Sequence, residues 1–322
     1  MRKTVLCTLG ALALATAHPS WAQSDQSNRP IRLIVSSAAG GTGDTMARAA
    51  SKVVGDDLGT NIVVDNRPGA SGIIATQALV KAAPDGYTLL HTSSSLATNA
   101  ATGRKLPYDT MKDIVPLSNL ATSEGYLVLV NPRLGVNSVK ELIELSKQKT
   151  LNYGSPGPGN PIHFHTEALA QRAGTKMTHV PYKGLAPALT ALISGEIQLV
   201  LAPAIATRGH IEAGRMRALA SVSKARIEAL PKLPTMEELG FKGFVLVGGW
   251  QGWFAPGGTP PAVLNKLHSA IKKAVMDGDF RKFCRTGGYI PTGSSPAEFR
   301  KQVLSDYEKF KEIAVAVGLR QK

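Results

Sequence analysis

Two glycine-rich turns carry the residue types best suited to gripping an anion. The first is Ser36-Ser37-Ala38-Ala39-Gly40-Gly41-Thr42-Gly43-Asp44, and the second is Gly154-Ser155-Pro156-Gly157-Pro158-Gly159-Asn160-Pro161. Each lies between a strand-like segment and a helical one. Small residues let the backbone approach a ligand closely, and free N–H groups at a helix start attract negative charge. Spacing alone leaves a plainer alternative open, in which both turns are only tight connections that the fold needs. Neither is a nucleotide motif. The first lacks the Lys-Ser or Lys-Thr ending of a P-loop, and the second departs from G-x-G-x-x-G. Its prolines also remove amide donors that a phosphate would need.

The cluster His163-Phe164-His165-Thr166-Glu167 invites a metal reading. A spacing of two separates side chains widely around a helix, and the following pattern is helical, so a shared metal is not expected. His163 is expected to point into a cleft as a hydrogen-bond donor, and His165 to pack or be solvated. Asp44 has the chemistry of a general base, but an acidic residue at a helix start more commonly satisfies backbone donors. Enzyme signatures fail: there is no G-x-S-x-G and no H-E-x-x-H. Ser221-Val222-Ser223-Lys224 matches S-x-x-K without its companion motifs. Trp250, Trp253 and Phe254 are core candidates by default, though Trp250, set between two glycines and Gln251, could face a cleft.

The elements that position these residues alternate almost throughout. Strands are predicted at Ile31–Ser36, Asn61–Asp65, Tyr87–His91, Tyr126–Val130, Leu151–Tyr153, His179–Pro181, Ile197–Leu201 and Met216–Ser221, and Val245–Phe254 is extended. Helices are predicted at Asp44–Leu58, Gly72–Ala82, Val139–Lys147 with Ser138 as N-cap, from about Ile162, and at Pro260–Met276 and Pro296–Val317. Buried apolar strands alternating with helices predict parallel sheets covered on both faces, an α/β fold. No linker or repeat interrupts the pattern. Two domains are therefore expected to be joined by ordered crossings, near Leu120–Leu127 and Val247–Phe254. Domain 1 would comprise 23–123 and 248–322, domain 2 would comprise 124–247, and a ligand cleft would lie between them.

The N-terminus combines Met1-Arg2-Lys3, an apolar run from Val5 to Ala17, and small residues at Ser20 and Ala22. That is the pattern of a secretory signal peptide, 1–22, which implies export to the periplasm. Cys7 sits inside the apolar run, too near the start to be a lipidated cysteine. Cys284 is then the one cysteine left, so neither an internal disulfide nor a thiolate metal site is expected. The chain is 43% hydrophobic and 19% charged, ordinary for a globular protein. Its formal charge is +14, or +12 once Arg2 and Lys3 are subtracted. The basic residues are scattered, with no arginine-rich tract, so a nucleic-acid partner is not expected. A mild attraction for organic anions is.

Beyond these readings, the chain resembles the Bug-type substrate-binding proteins of tripartite tricarboxylate transporters over essentially its whole mature length. The resemblance rests on Arg29-Pro30-Ile31, Ala39-Gly40-Gly41 with Asp44, Val63-Val64-Asp65-Asn66-Arg67-Pro68-Gly69-Ala70, Ala83-Pro84-Asp85-Gly86-Tyr87-Thr88-Leu89-Leu90 and Leu106-Pro107-Tyr108-Asp109. Leu151-Asn152-Tyr153, Val180-Pro181-Tyr182-Lys183-Gly184, Arg217-Ala218-Leu219-Ala220 and Phe254-Ala255-Pro256 continue it in order. It implies a two-domain periplasmic-binding-protein fold of the Venus flytrap type, a monomer with no cofactor, which binds a small organic acid without reacting with it. The acid would pass to the membrane subunits of a tripartite transporter; a sensor kinase is the alternative partner.

By motif position, the resemblance implies that the ligand is held by Ala39, Gly40, Gly41 and Thr42, with Asp44 ordering the turn, and by Thr92 and Ser93. From the second domain come Ser155, Gly157, Asn160 and His163, with Tyr182, Lys183 and Gly184 along the cleft. Two departures bear on specificity. Ser36-Ser37-Ala38 replaces a proline-phenylalanine-proline lead, and Ala202 stands where an acidic residue is frequent. Loss of that carboxylate disfavours amino acids and favours a dicarboxylate, with an aromatic one such as terephthalate in view.

Overall fold

The computed structural model describes residues 29–242, 249–316 and 318–319. The segment 1–22 read as a signal peptide lies outside them.

The chain opens with β1 (Ile31–Val35), α1 (Thr42–Leu58), β2 (Ile62–Asn66), α2 (Ile73–Val80), β3 (Thr88–Ser93), α3 (Ser95–Ala101) and β4 (Ile114–Ser123). It continues with β5 (Leu127–Val130), α4 (Val139–Gln148), β6 (Leu151–Ser155), α5 (Pro161–Arg172), β7 (Met177–Pro181), α6 (Leu185–Ser194), β8 (Leu199–Ala202), α7 (Arg208–Glu212) and β9 (Arg217–Ser221). It closes with β10 (Trp250–Pro256), α8 (Pro261–Met276), α9 (Gly278–Thr286), β11 (Tyr289–Pro291) and α10 (Pro296–Ala316).

The strands form two sheets, each the centre of a lobe. One has six strands in the order β11-β4-β10-β3-β1-β2, and the other has five in the order β7-β6-β8-β5-β9. The first passage between them, Glu124–Tyr126, falls inside the predicted crossing at Leu120–Leu127. The return falls partly on 243–248, outside the described residues.

The expectation of parallel sheets holds only in part. The pairs β1–β2, β1–β3, β6–β7 and β6–β8 are parallel, but β10 runs antiparallel to β3 and β4, β11 to β4, and β5 to β8 and β9. Of the reversed strands β5, β10 and β11, the first two are those entered after the chain changes lobes, so each meets its sheet from the opposite end. A run buried on both faces, such as Leu127–Val130, fits either direction equally well.

In the first sheet the period-2 alternation of β1 sends Leu33 and Val35 toward α1 and α8, where they meet Met46, Ala50, Val54 and Ile271. Ile34 faces the other way, into Leu79, Leu90, Phe254 and Phe299. Truncating one such fully buried side chain to Ala costs about 2–5 kcal/mol. In the second sheet Val128, Tyr153 and Leu201 pack toward α4 and α5, and Leu129, Val200 and Ala202 toward α6. Ser138 caps α4 as expected, its Oγ accepting from Glu141 N at 3.1 Å. Helix α1 differs: Gly41 is its N-cap and supplies no side chain to the first turn.

Candidate functional site

The lobes meet around a cavity of about 100 Å³. From the six-stranded lobe it is lined by Ser36–Ala38, Gly41–Gly43, Gly69, Ser71, Gly72, Ser93–Ser95, Gly249–Gln251 and Tyr289. From the other lobe come Tyr126, Pro156, Asn160–Ile162, Gly184–Ala186 and Pro203. None of these lining residues is an Asp, Glu, Lys, Arg or His. Any charge taken up here must be met by dipoles and hydrogen bonds.

The first glycine-rich turn delivers such dipoles. The N–H groups of a first helical turn have no intrahelical acceptor, and here no side chain caps them. Gly40 takes a left-handed φ of 75°, which turns its N–H onto Asp44 Oδ2 at 2.9 Å. Asp44 Oδ1 accepts from Arg48 Nε and Asn66 Nδ2, each at 2.9 Å, and Asn66 Nδ2 also reaches Ser37 O at 3.0 Å. Burial pushes the Asp44 carboxyl up, but the hydrogen bonds from Arg48, Gly40 and Asn66 outweigh it and hold the group below the usual carboxylate range. Asp44 thus orders the turn from behind and does not line the cavity. On the cavity lining, Ser37 Oγ and Thr42 Oγ1 beside the α1 start, and Ser94 Oγ beside Gly249, are buried without a hydrogen-bond partner in the protein. Buried hydroxyls are seldom left so, because each costs about 1–3 kcal/mol. Three along one cavity lining mark a place built to hold a hydrogen-bonding ligand.

The second glycine-rich turn is arranged otherwise. Ser155 Oγ is fully buried, accepts from Gly157 N at 3.1 Å and pairs with His179 Nε2 at 2.6 Å. Asn160 Oδ1 caps α5 by accepting from Ile162 N at 3.0 Å. The carbonyl of Pro158 accepts from Ser71 Oγ of the other lobe at 2.9 Å, and that of Gly159 accepts from Thr98 Oγ1. Asn99 Nδ2 supports the same contact by donating to Ser71 O at 2.9 Å. Gly157 and Gly159 have φ of 127° and 81°. A Cβ on Gly159 would stand 2.8 Å from Asn99 Oδ1, and one on Gly157 would stand 3.1 Å from Ser71 Oγ. Close backbone approach is needed here for lobe-to-lobe contact.

Of the residues expected from the sequence, Gly41, Thr42, Ser93, Asn160 and Trp250 line the cavity. The others sit elsewhere, for identifiable reasons. Ala39 and Gly40 are exposed on the outer side of their turn. Thr92 lies one layer behind, its Oγ1 accepting from Ser36 Oγ at 2.9 Å. Ser155 and Gly157 serve the second turn internally. The expectation that His163 donates into the cleft is corrected: its ring stacks on His179 with centroids 3.9 Å apart and planes 14° apart. Burial pushes both histidines down to about 4, so both are neutral at pH 7. His165 packs edge-on against Tyr126 at 5.2 Å. Tyr182 donates to Glu196 Oε1 at 3.0 Å and Lys183 is exposed, so their neighbour Gly184 is the lining residue. Ala202 is fully buried in the core under α6, and Pro203 after it reaches the cavity. Trp250 turns its indole away, donating to Asp306 Oδ2 at 2.9 Å.

Ser71, Ser94, Tyr126, Gln251 and Tyr289 also line the cavity, and no motif marks them in the sequence. For Gln251 a signal existed: strand alternation places it opposite the core-facing Trp250. Among the described residues, no group of His, Cys, Asp and Glu is placed to hold a metal ion. None of their helices is long and apolar enough to cross a membrane.

With this geometry in place, comparison with known proteins is specific. Residues 46–319 match the model of the tripartite tricarboxylate transporter family receptor. Protein BugT of Bordetella pertussis is 34% identical over 299 residues, 91% of each chain. A solved R. palustris protein with adipate superposes with a TM-score of 0.87 at 31% identity, covering 91% of this chain and 98% of that one. MatC of Rhodopseudomonas palustris with bound malate gives a TM-score of 0.83 at 27% identity, covering 88% and 98%.

Proposed function

Because this chain belongs to the family of tripartite tricarboxylate transporter receptors, we propose that it holds a small carboxylate between its lobes and delivers it unchanged to the membrane subunits of such a transporter. One observation carries the proposal: the uncapped start of α1 and the partnerless hydroxyls of Ser37, Thr42 and Ser94 converge on an uncharged cavity. Carboxylate oxygens supply what these groups lack, several acceptors in a compact anion. Charge-assisted hydrogen bonds contribute about 1.5–3 kcal/mol each, so a few of them supply much of the roughly −8 kcal/mol of a micromolar complex.

Gly41, Thr42, Ser93 and Asn160 are the direct contacts in this proposal, and Asp44 fixes the turn. The lobes divide as 23–123 with 248–322 against 124–247, and a ligand touching both favours the closed form by its differential affinity for it. Residues 1–22 direct export to the periplasm. The related proteins solved with adipate and malate support a dicarboxylate. The cavity of about 100 Å³ is smaller than the roughly 150 Å³ that accepts a benzene ring. A short aliphatic diacid therefore suits it better than terephthalate.

A thermal-shift panel containing malate, adipate, shorter diacids and terephthalate tests this. At 100 times Kd a ligand adds about 2.7 kcal/mol to stability, so at least one aliphatic diacid raises Tm by several degrees. An unchanged Tm with every member overturns the proposal. Mass spectrometry of the released molecule, expected unaltered, separates binding from turnover.

A further inference from the structure

A buried hydrogen-bond chain behind the cavity has a fixed direction. Trp253 Nε1 lies 3.0 Å from His91 Nδ1, and His91 Nε2 lies 3.0 Å from Gln251 Oε1. Trp253 and His91 are fully buried, and Gln251, 8% exposed, lines the cavity. The strand pairing sets the arrangement: β10 runs antiparallel to β3 with Trp253 opposite His91 and Gln251 opposite Ser93. Side chains two apart on β10 share a face, so both reach the one histidine.

An indole N–H can only donate. His91 Nδ1 must therefore accept, and in a neutral ring the proton sits on Nε2. Burial keeps this ring neutral, pushing it down to about 4. The Nε2 proton then goes to Gln251 Oε1, since an amide nitrogen cannot accept it. That fixes an orientation which a glutamine alone would leave open. Its Oε1 is occupied by the histidine, and its NH2 is turned away from it toward the hydroxyl of Tyr289, another lining residue. Tyr126 Oη, also on the lining, accepts from Gly249 N at 3.2 Å, so its own O–H remains as a donor. The lining around Gln251, Tyr289 and Tyr126 thus presents donors.

We propose that Gln251 is a specificity-determining residue: the Trp253–His91 chain fixes which way its amide points, holding Oε1 on the histidine and leaving the NH2 as the donor end, which favours oxygen acceptors over ammonium groups. Trp253 and His91 are positioning residues. This inference rests on the carboxylate-binding proposal and names the group that enforces it.

Two measurements test it on the mature protein. Nitrogen-15 NMR of histidine-labelled protein is expected to show His91 neutral with its proton on Nε2, and Trp253→Phe to mix the two tautomers. Titration calorimetry with malate and adipate gives the binding arm. Loss of one hydrogen bond to a charged group predicts roughly 10–100-fold weaker binding in Gln251→Met, and Gln251→Glu weakens it further by adding like charge. Trp253→Phe weakens it by about 2–10-fold, in step with the tautomer change. A melting scan of each unliganded variant shows that it is folded, and Gln251→Met, which adds no charge, keeps the test open if Gln251→Glu does not fold. An Nδ1-protonated His91 in the wild type overturns the inference. So does wild-type affinity in Gln251→Met. A wild type that binds no carboxylate at all overturns the carboxylate proposal instead, and the tautomer result distinguishes that failure from this one.

Discussion

The two glycine-rich turns look alike as sequences and differ as structures. In the first, glycine frees the start of α1 and leaves it open to the cavity, with Asp44 as a support from behind. In the second, glycine lets the backbone meet the opposite lobe, and its carbonyls are taken by Ser71 and Thr98. One turn offers donors to the cavity. The other spends its acceptors on closing the lobes. Composition and strand–helix placement are common to both, and the difference lies in what stands opposite each turn.

The sharpest way to break this comparison is Gly159→Ala. It adds strain at a φ of 81° and a Cβ 2.8 Å from Asn99 Oδ1. With a penalty of about 2–3 kcal/mol on the closed form, carboxylate affinity falls roughly 30–150-fold, and small-angle scattering shows wider lobes. Unchanged affinity and radius of gyration would remove the closing role of the second turn.

Acid separates the turns next. The histidines His163 and His179 behind the second turn have pKa values lowered from 6.5 to about 4. A depressed value means that the unfolded chain takes up protons first, so their contribution is whole above about 6.5 and is lost as pH falls toward 4. Asp44 behind the first turn is depressed as well, and its contribution is lost only below the ordinary carboxylate range. Stability is therefore expected to decline between pH 6.5 and 4, and amide exchange near Ser155 to quicken before exchange near Gly40. Equal protection of both turns across that window would contradict the assignment.

Milder changes address the first turn. Thr42→Val removes a hydroxyl without altering shape, and about 3–30-fold weaker binding is expected with little change in unliganded Tm. Gly40→Ala is the smallest effect. Its φ is 75° but nothing lies within 4 Å of the added Cβ, so the expected cost is the left-handed strain of about 1 kcal/mol, read in unliganded stability. Were Gly40→Ala to equal Gly159→Ala in its effect on binding, the turns would not differ as described.

Much of the architecture was legible because β-branched runs such as Ile31–Val35 alternate with well-marked helices such as Val139–Gln148. Strand β4 escaped notice because Pro116, Ser118, Asn119, Thr122 and Ser123 make it polar, although most of it is buried. Helix α3, Ser-Leu-Ala-Thr-Asn-Ala-Ala, lacks an apolar stripe for the same reason. At the site, the open start of α1 and the supporting place of Asp44 could be read locally. The misplacement of Ser155, His163 and Ala202 could not, because facing direction depends on the partner lobe and on which side of a strand each side chain falls. Gln251 shows the limit from the other side: its position followed from alternation, but its orientation depends on a histidine 160 residues away.

The uncharged lining separates how fast a ligand arrives from how long it stays. The chain carries a net +14, a diffuse field that draws anions inward and that salt screens over about 8–10 Å. In the proposed binding mode the grip inside the cavity comes from fixed N–H and O–H dipoles at contact distance, which mobile ions do not reach. Raising ionic strength should therefore slow capture while leaving the lifetime of the complex nearly constant.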